Sequence, residues 1–210
     1  MSKLFSLANL PVVITGAAGL LGRQHAFAVA EAGGIPVLLD LDSGRLQALK
    51  TELQEYNFHP IAYSVDTTCE EDMKFTAEDA LAQVGPVYGI VNNVAFNPRM
   101  ADTAQDDGLL ENFSLERWDR EHSISLSSAF LTAKYFGAHL VQRQEGSIVN
   151  IASDLAVIAP DHRIYASSES SGLAAPKKPM TYSSVKSALL GITRYLATYW
   201  SPLPIRSNAL

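Results

Sequence analysis

The sequence predicts an α/β fold, a doubly wound parallel sheet with helices on both faces, and three observations carry that expectation. Short apolar runs alternate with longer amphipathic segments along the chain. Several runs are apolar nearly throughout rather than alternating, as strands covered on both faces are. Glycine and proline punctuate the pattern, with Gly33-Gly34 as a helix stop and Gly85-Pro86 ahead of a strand.

Taken in order, the pattern gives strands over 12–15, 36–40, 61–65, 87–92, 147–151 and 205–209. Helices fall near 20–32, 43–55, 70–83, 114–143 and 181–200. The 210 residues are 47% hydrophobic and 18% charged, enough for one core, so a single domain over 1–210 is expected. A net charge of −6 without any basic run argues against a nucleic-acid partner. Cys69 is the single cysteine, so no internal disulfide can form and a reducing, cytoplasmic setting is expected. No leader-like segment and no stretch of membrane-spanning length is read. The five histidines show no metal-ligand spacing, and no metal is expected. Two long irregular segments, 93–113 and 152–180, leave the carboxyl ends of the fourth and fifth strands, where open α/β sheets bind ligands.

The first strand runs into Thr15-Gly16-Ala17-Ala18-Gly19-Leu20-Leu21-Gly22. A pyrophosphate held at a helix N-terminus needs free N–H groups and a backbone it can approach, and glycine leaves that approach open. Gly16, Gly19, Leu20 and Leu21 are therefore candidate cofactor residues, with Gly22 packing the helix closely. Asp40 ends the second strand, where a carboxylate accepts hydrogen bonds from ribose hydroxyls. Leu41 follows instead of a basic residue, which favours NAD over NADP.

Tyr182-Ser183-Ser184-Val185-Lys186 places a phenol and an ammonium four residues apart on one helix face. A phenol with an ordinary pKa of about 10 is a poor base at neutral pH, and a nearby cation favours the phenolate. Tyr182 is then the group that exchanges a proton with a substrate oxygen, and Lys186 its partner and a holder of the cofactor ribose. Tyr165 competes, because it too follows a serine strand. Its fourth neighbour is Glu169 and it sits in a Ser/Gly/Pro-rich stretch, so Tyr182 is preferred.

These residues resemble the short-chain dehydrogenase/reductase family, whose members have the Rossmann-type fold. The resemblance covers most of the chain and implies further roles. Asp66 matches the aspartate that contacts adenine. Asn92-Asn93-Val94-Ala95 is similar to the family's NNAG segment, which makes Asn92 and Val94 cofactor neighbours. Ser153, after Gly146-Ser147-Ile148-Val149-Asn150-Ile151-Ala152, matches the serine that polarises the substrate carbonyl. Ser125 stands where the family often has an asparagine that holds a water linked to the lysine. The resemblance implies a homodimer or homotetramer, and an insertion over 154–180. It also implies a C-terminally short chain, the family's last helix and last strand being absent after 205–209. The stretches from Ser153 to Asp161 and from Arg194 to Trp200 resemble bacterial oxidoreductases that modify flagellin or surface polysaccharide.

Asp161, His162, Arg163, Lys177, Lys178 and Arg99 put polar groups on the two long segments, so a polar, sugar-like or phosphorylated alcohol is the expected substrate. Two other readings use the same residues: a non-catalytic NAD-binding sensor or subunit, and an epimerase or dehydratase that oxidises its substrate transiently.

Overall fold

A computed structural model describes residues 5–96, 109–165 and 177–210. Six parallel strands form one sheet in the order β3-β2-β1-β4-β5-β6. They are β1 (Pro11–Thr15), β2 (Ile35–Asp40), β3 (Ile61–Ser64), β4 (Gly89–Asn92), β5 (Gly146–Asn150) and β6 (Ile205–Ala209). The helices between them are α1 (Leu20–Glu31), α2 (Ser43–Glu55), α3 (Glu70–Val84), α4 (Leu115–His122), α5 (Ser128–Arg143) and α6 (Met180–Tyr199). The chain builds outward from β1 to β3, returns to β4 beside β1, and builds outward again. The sheet therefore reverses direction between β1 and β4, the point at which such sheets open a crevice beyond the strand ends.

The period of two along a strand sends neighbouring side chains to opposite faces, and β1 feeds two cores in this way. Val12 and Ile14 join Leu38, Ala26, Val29, Leu46, Leu49 and Leu53 under α1 and α2. Val13 joins Val37, Ile90, Ile148, Met73, Phe136 and Leu140 under α3 and α5. Each large apolar side chain buried here contributes about 1.5–3 kcal/mol. Helix boundaries follow local chemistry. Asp42 caps α2 by accepting from Arg45 N–H (3.0 Å), and Ser114 caps α4 by accepting from Arg117 N–H (3.2 Å). Three acidic residues occupy the first turn of α3 and complement its dipole. Gly85, at φ 74°, ends α3.

The segment expected as one helix over 114–143 is α4 and α5 joined by a π turn, Ser123–Ser127. The wider turn changes which side chains reach α6. Within α5, Gly137 faces Trp200, and a Cβ there would come 2.6 Å from its ring. Among the described residues no helix is long and apolar enough to cross a membrane.

Candidate active site

The glycine turn lies at the reversal between β1 and β4. Gly16 takes φ 62°, a left-handed conformation, and a Cβ there would come 3.2 Å from Asn93 Nδ2 and from Val94 Cγ2. A Cβ on Gly22 would come 2.1 Å from the Gly16 carbonyl oxygen, so the first turn of α1 is pressed onto the glycine turn itself. Gly19 opens α1 without any side-chain cap. The first N–H groups of α1 thus have no capping side chain, and the cradle around them is kept clear of Cβ atoms, features that fit a pyrophosphate. Leu20 and Leu21 project from this turn, 86% and 52% exposed.

Asp40 touches the same turn. Its Oδ2 accepts from Ala18 N–H (2.9 Å) and its Oδ1 from Asp42 N–H (3.0 Å). The carboxylate is thereby fixed at the end of β2, beside the exposed Leu41. Asp66 lies two residues beyond β3. Its Oδ1 accepts from Thr68 N–H (2.8 Å) and Thr68 Oγ1 (2.7 Å), a local turn that precedes α3.

The two asparagines after β4 divide their work. Asn92 is buried, and its Nδ2 donates to Asn150 Oδ1 (2.8 Å). Asn150 Nδ2 donates in turn to Thr193 Oγ1 (2.8 Å), which donates to Leu189 O (2.8 Å). This chain ties β4 and β5 to α6 and so positions the helix that carries Tyr182 and Lys186. Asn93, which sequence reasoning passed over, holds the glycine turn. Its Nδ2 donates to Thr15 O (3.1 Å) and Gly16 O (3.0 Å), and its N–H donates to Thr15 Oγ1 (3.1 Å). Val94 packs against Gly16 on the same side. The available signal was positional, since Asn93 is the first residue past β4, directly across the reversal from the turn.

Tyr182 and Lys186 lie in the first two turns of α6, as their spacing requires. Lys186 is buried, its Nζ donates to Ile151 O (2.5 Å), and it sits 5.7 Å from the Tyr182 ring centre. Burial first, and the nearby Lys178 ammonium second, bring the Lys186 pKa down to about 8. Ser125, in the π turn, is buried and shares a small cavity with Ala95, Glu121, Tyr182 and Lys186. The cavity offers about 10 Å³ to the centre of a water molecule, room for one. The structure thus brings Ser125, Tyr182 and Lys186 together.

Ser153 follows β5. Its Oγ donates to Asp154 Oδ1 (2.8 Å) and accepts from Leu155 N–H (3.2 Å), opening a short 3-10 turn at Asp154–Ala156. That turn packs on α6, where Ser187 Oγ donates to Ala156 O (2.8 Å). Ser153 lies outside the cavity lining, on the strand-end side of α6.

Glu121 was also passed over. It is a buried carboxylate two residues before the π turn, paired with Arg117 Nε (2.7 Å) and accepting a hydrogen bond from Thr181 Oγ1, next to Tyr182. Arg117 at the i−4 position was its only trace in the sequence. Of the charged loop residues, Arg163 forms a bidentate pair with Asp161 (2.9 and 2.8 Å) that holds the Asp161 carboxyl down to about 2. Lys178 lies over the Tyr182 ring, 3.9 Å from its centre. Arg99 and the residues after Tyr165 up to position 176 lie outside the described residues. Tyr165 ends a 3-10 turn, His162–Tyr165, with no lysine placed beside it among the described contacts. No group of three His, Cys, Asp or Glu gathers among the described residues.

A larger groove, about 740 Å³, runs between α5 and α6 and is lined by Phe130, Val141, Ile192, Tyr195, Tyr199 and Trp200. It carries no constellation of reactive groups.

Comparison with known proteins agrees with this layout. A family model described as short chain dehydrogenase matches residues 11–171. An NAD-dependent glycerol dehydrogenase of Listeria innocua is 28% identical over 209 residues, 99% of this chain and 71% of that protein. A D-threitol dehydrogenase of Mycolicibacterium smegmatis is 25% identical, over 98% of this chain and 70% of that protein. A crystal structure described as an NAD(P)-dependent gluconate 5-dehydrogenase from Beutenbergia cavernae, with NADP bound at low occupancy, superposes with a TM-score of 0.79. It is 26% identical, covering 98% of this chain and 72% of that one. An NAD+-bound xylitol dehydrogenase shares the fold with a TM-score of 0.80 at 23% identity, over 97% and 69% of the two chains. With the glycine turn, the parallel sheet and the tyrosine–lysine pair in these positions, the chain belongs to the short-chain dehydrogenase family of oxidoreductases.

Proposed function

We propose that this protein is an NAD(H)-dependent oxidoreductase that interconverts an alcohol and a carbonyl on a polyol or other sugar-like substrate. One domain over residues 1–210 would carry the site, and a second copy would cover the apolar face of α5 and α6. The observation that carries the reading is the shared cavity of Tyr182, Lys186 and Ser125 at the end of the crevice held open by Gly16. The dinucleotide, when bound, supplies the hydride acceptor or donor. In the oxidative direction Tyr182 Oη, as phenolate, takes the hydroxyl proton of the alcohol. Lys186, held by Ile151 O, lies beside the ring of that phenol. The Ser153 hydroxyl turns from Asp154 to donate to the oxygen that becomes the carbonyl.

Asp40 beside Leu41 supports NAD over NADP, because a fixed carboxylate repels a 2′-phosphate. The glycerol, threitol and gluconate dehydrogenases among the relatives support a hydroxyl-rich substrate. Fluorescence titration with NADH and NADPH, followed by a screen of polyols and sugar acids, tests the assignment. Tyr182→Phe should lower turnover by about a hundred- to ten-thousandfold while NADH binding is unchanged. A Tyr182→Phe protein that turns over at the parent rate refutes it.

A further inference from the structure

Tyr182 stands in the part of α6 that its own helix holds least. It is the third residue of α6, and its N–H reaches back only to Pro179 O (3.1 Å). Pro179, at the N-cap, offers no side-chain acceptor, so the first turn is uncapped. Helix ends of this kind open first. Lys186, one turn further in, is buried and tied to Ile151 O (2.5 Å). The lysine is thus fixed from within the fold, whereas the tyrosine depends on what is laid against the first turn.

That support comes from α4. Thr181, 1% exposed, directly precedes Tyr182, and its Oγ1 donates to Oε2 of Glu121, itself 4% exposed. The other carboxylate oxygen, Oε1, accepts from Arg117 Nε (2.7 Å), one turn back on α4. The next residue, His122, contacts Ser184 Oγ through Nε2 (2.9 Å) and Trp118 O through Nδ1 (2.8 Å). The contacts at Thr181 and Ser184 fall on either side of Tyr182 in the sequence. Glu121, Thr181, Tyr182 and Lys186 line one small cavity.

We propose that Glu121 is a positioning residue for the reaction, fixing the first turn of α6 through Thr181 so that Tyr182 Oη keeps its place. The proposal rests on the reading of Tyr182 as the proton-transfer group. A buried ion pair adds little net stability, because the desolvation of both charges offsets their attraction. Apolar side chains of similar volume would pack α4 on α6 as well. They would not supply direction. A carboxylate oxygen accepts from the Thr181 hydroxyl along a narrow range of angles, and the charge strengthens the bond. Arg117 holds one oxygen and leaves the other aimed at Thr181. Proton transfer depends steeply on placement, and a displacement of about 1 Å can cost about a hundredfold in rate.

The test compares Thr181→Val, Thr181→Ser and Glu121→Gln with the parent. Valine keeps the branched shape and removes the donor, serine keeps the donor, and glutamine weakens the contact from the other side. The first readout is amide hydrogen exchange in the cofactor-free protein. The Ser184–Lys186 amides close the first turn by bonding back four residues, and the Leu189–Thr193 amides lie further along α6. Thr181→Val should speed exchange of the first set about tenfold and leave the second within about twofold. The second readout is NAD+ reduction with glycerol, D-threitol and xylitol as probe polyols, beside NADH titration. In Thr181→Val kcat should fall about ten- to a hundredfold, with the polyol KM and NADH Kd within about twofold. Thr181→Ser should stay near the parent in both readouts, and Glu121→Gln should fall between. First-turn exchange unmoved in Thr181→Val overturns the proposal, as does faster exchange with kcat at the parent value. Equal acceleration all along α6, with kcat, KM and Kd worsening together, would make the contact ordinary packing and overturn it too. Full activity in Tyr182→Phe would instead overturn the functional reading, and the exchange pattern would still decide whether Glu121 holds the turn.

Discussion

Replacing Asn93 with alanine removes two hydrogen bonds, from its Nδ2 to the carbonyls of Thr15 and Gly16. Each bond of this kind contributes about 1 kcal/mol net, so the substitution should cost about 2 kcal/mol. For a chain of this size that corresponds to a fall in Tm of about 4–8 °C. The loss should not be spread evenly. Gly16 is held at φ 62° by this clamp, and an open turn presents the wrong backbone to a pyrophosphate. If all of the lost energy falls on the turn, NADH binding should weaken by about thirtyfold. Thermal denaturation and NADH fluorescence titration measure the two effects on the same sample. A protein that loses the expected stability yet binds NADH within about twofold of the parent would show that the turn keeps its shape without Asn93, and the reasoning would fail.

Two further outcomes follow from the same structure. Lys186 has its pKa lowered from 10.5 to about 8 chiefly by burial, so the cost of its charge is full below about pH 8 and fades between there and 10.5, where the parent should gain stability as pH rises. Lys186→Met should therefore be more stable than the parent at pH 7, by about 2–3 kcal/mol once the bond to Ile151 O is deducted, and denaturation scans should show the gap closing towards pH 10.5; a less stable variant at pH 7 would contradict this. Tyr195→Asp, on the exposed face of α6 beside Tyr199, should halve the particle mass in light scattering without altering NADH binding, and a parent that already scatters as a monomer would remove the basis for a covered face.

Most of the fold was legible because it is written in local patterns. Strand runs such as 12–15 and 36–40 lie within one residue of β1 and β2, and Gly33 and Gly85 mark the helix ends where expected. The glycine turn and the Tyr182–Lys186 spacing are also local, and the structure sets both at strand and helix ends facing the crevice. What escaped were partnerships between distant segments. Asn93 differs from Asn92 in the sequence only by one position, but the pleat turns Asn92 inward to Asn150 and leaves Asn93 facing the turn. Glu121 reads as an ordinary polar helix residue until α6 is laid against it and Thr181 closes over its carboxylate. Lys178 reads in the sequence as one of several loop charges suited to a polar substrate, and only the fold lays it over the Tyr182 ring.

The π turn at Ser123–Ser127 has a consequence for how this region tolerates change in length. It accommodates one residue more than an α-helical turn would, between a segment that faces α6 and a segment whose Phe136 and Leu140 fill the core. Deleting any one of those five residues could be absorbed by a return to regular helix, with helical content preserved. Five residues in the wide turn and four in a regular one cover nearly the same angle, so the segments on either side would keep their phase, with Glu121 still opposite Thr181. The change would fall on Ser125, the buried residue of the turn, and so on the small cavity it lines. A single lost codon here would act as a local edit of the reaction cavity and leave the packing on both sides of it in register.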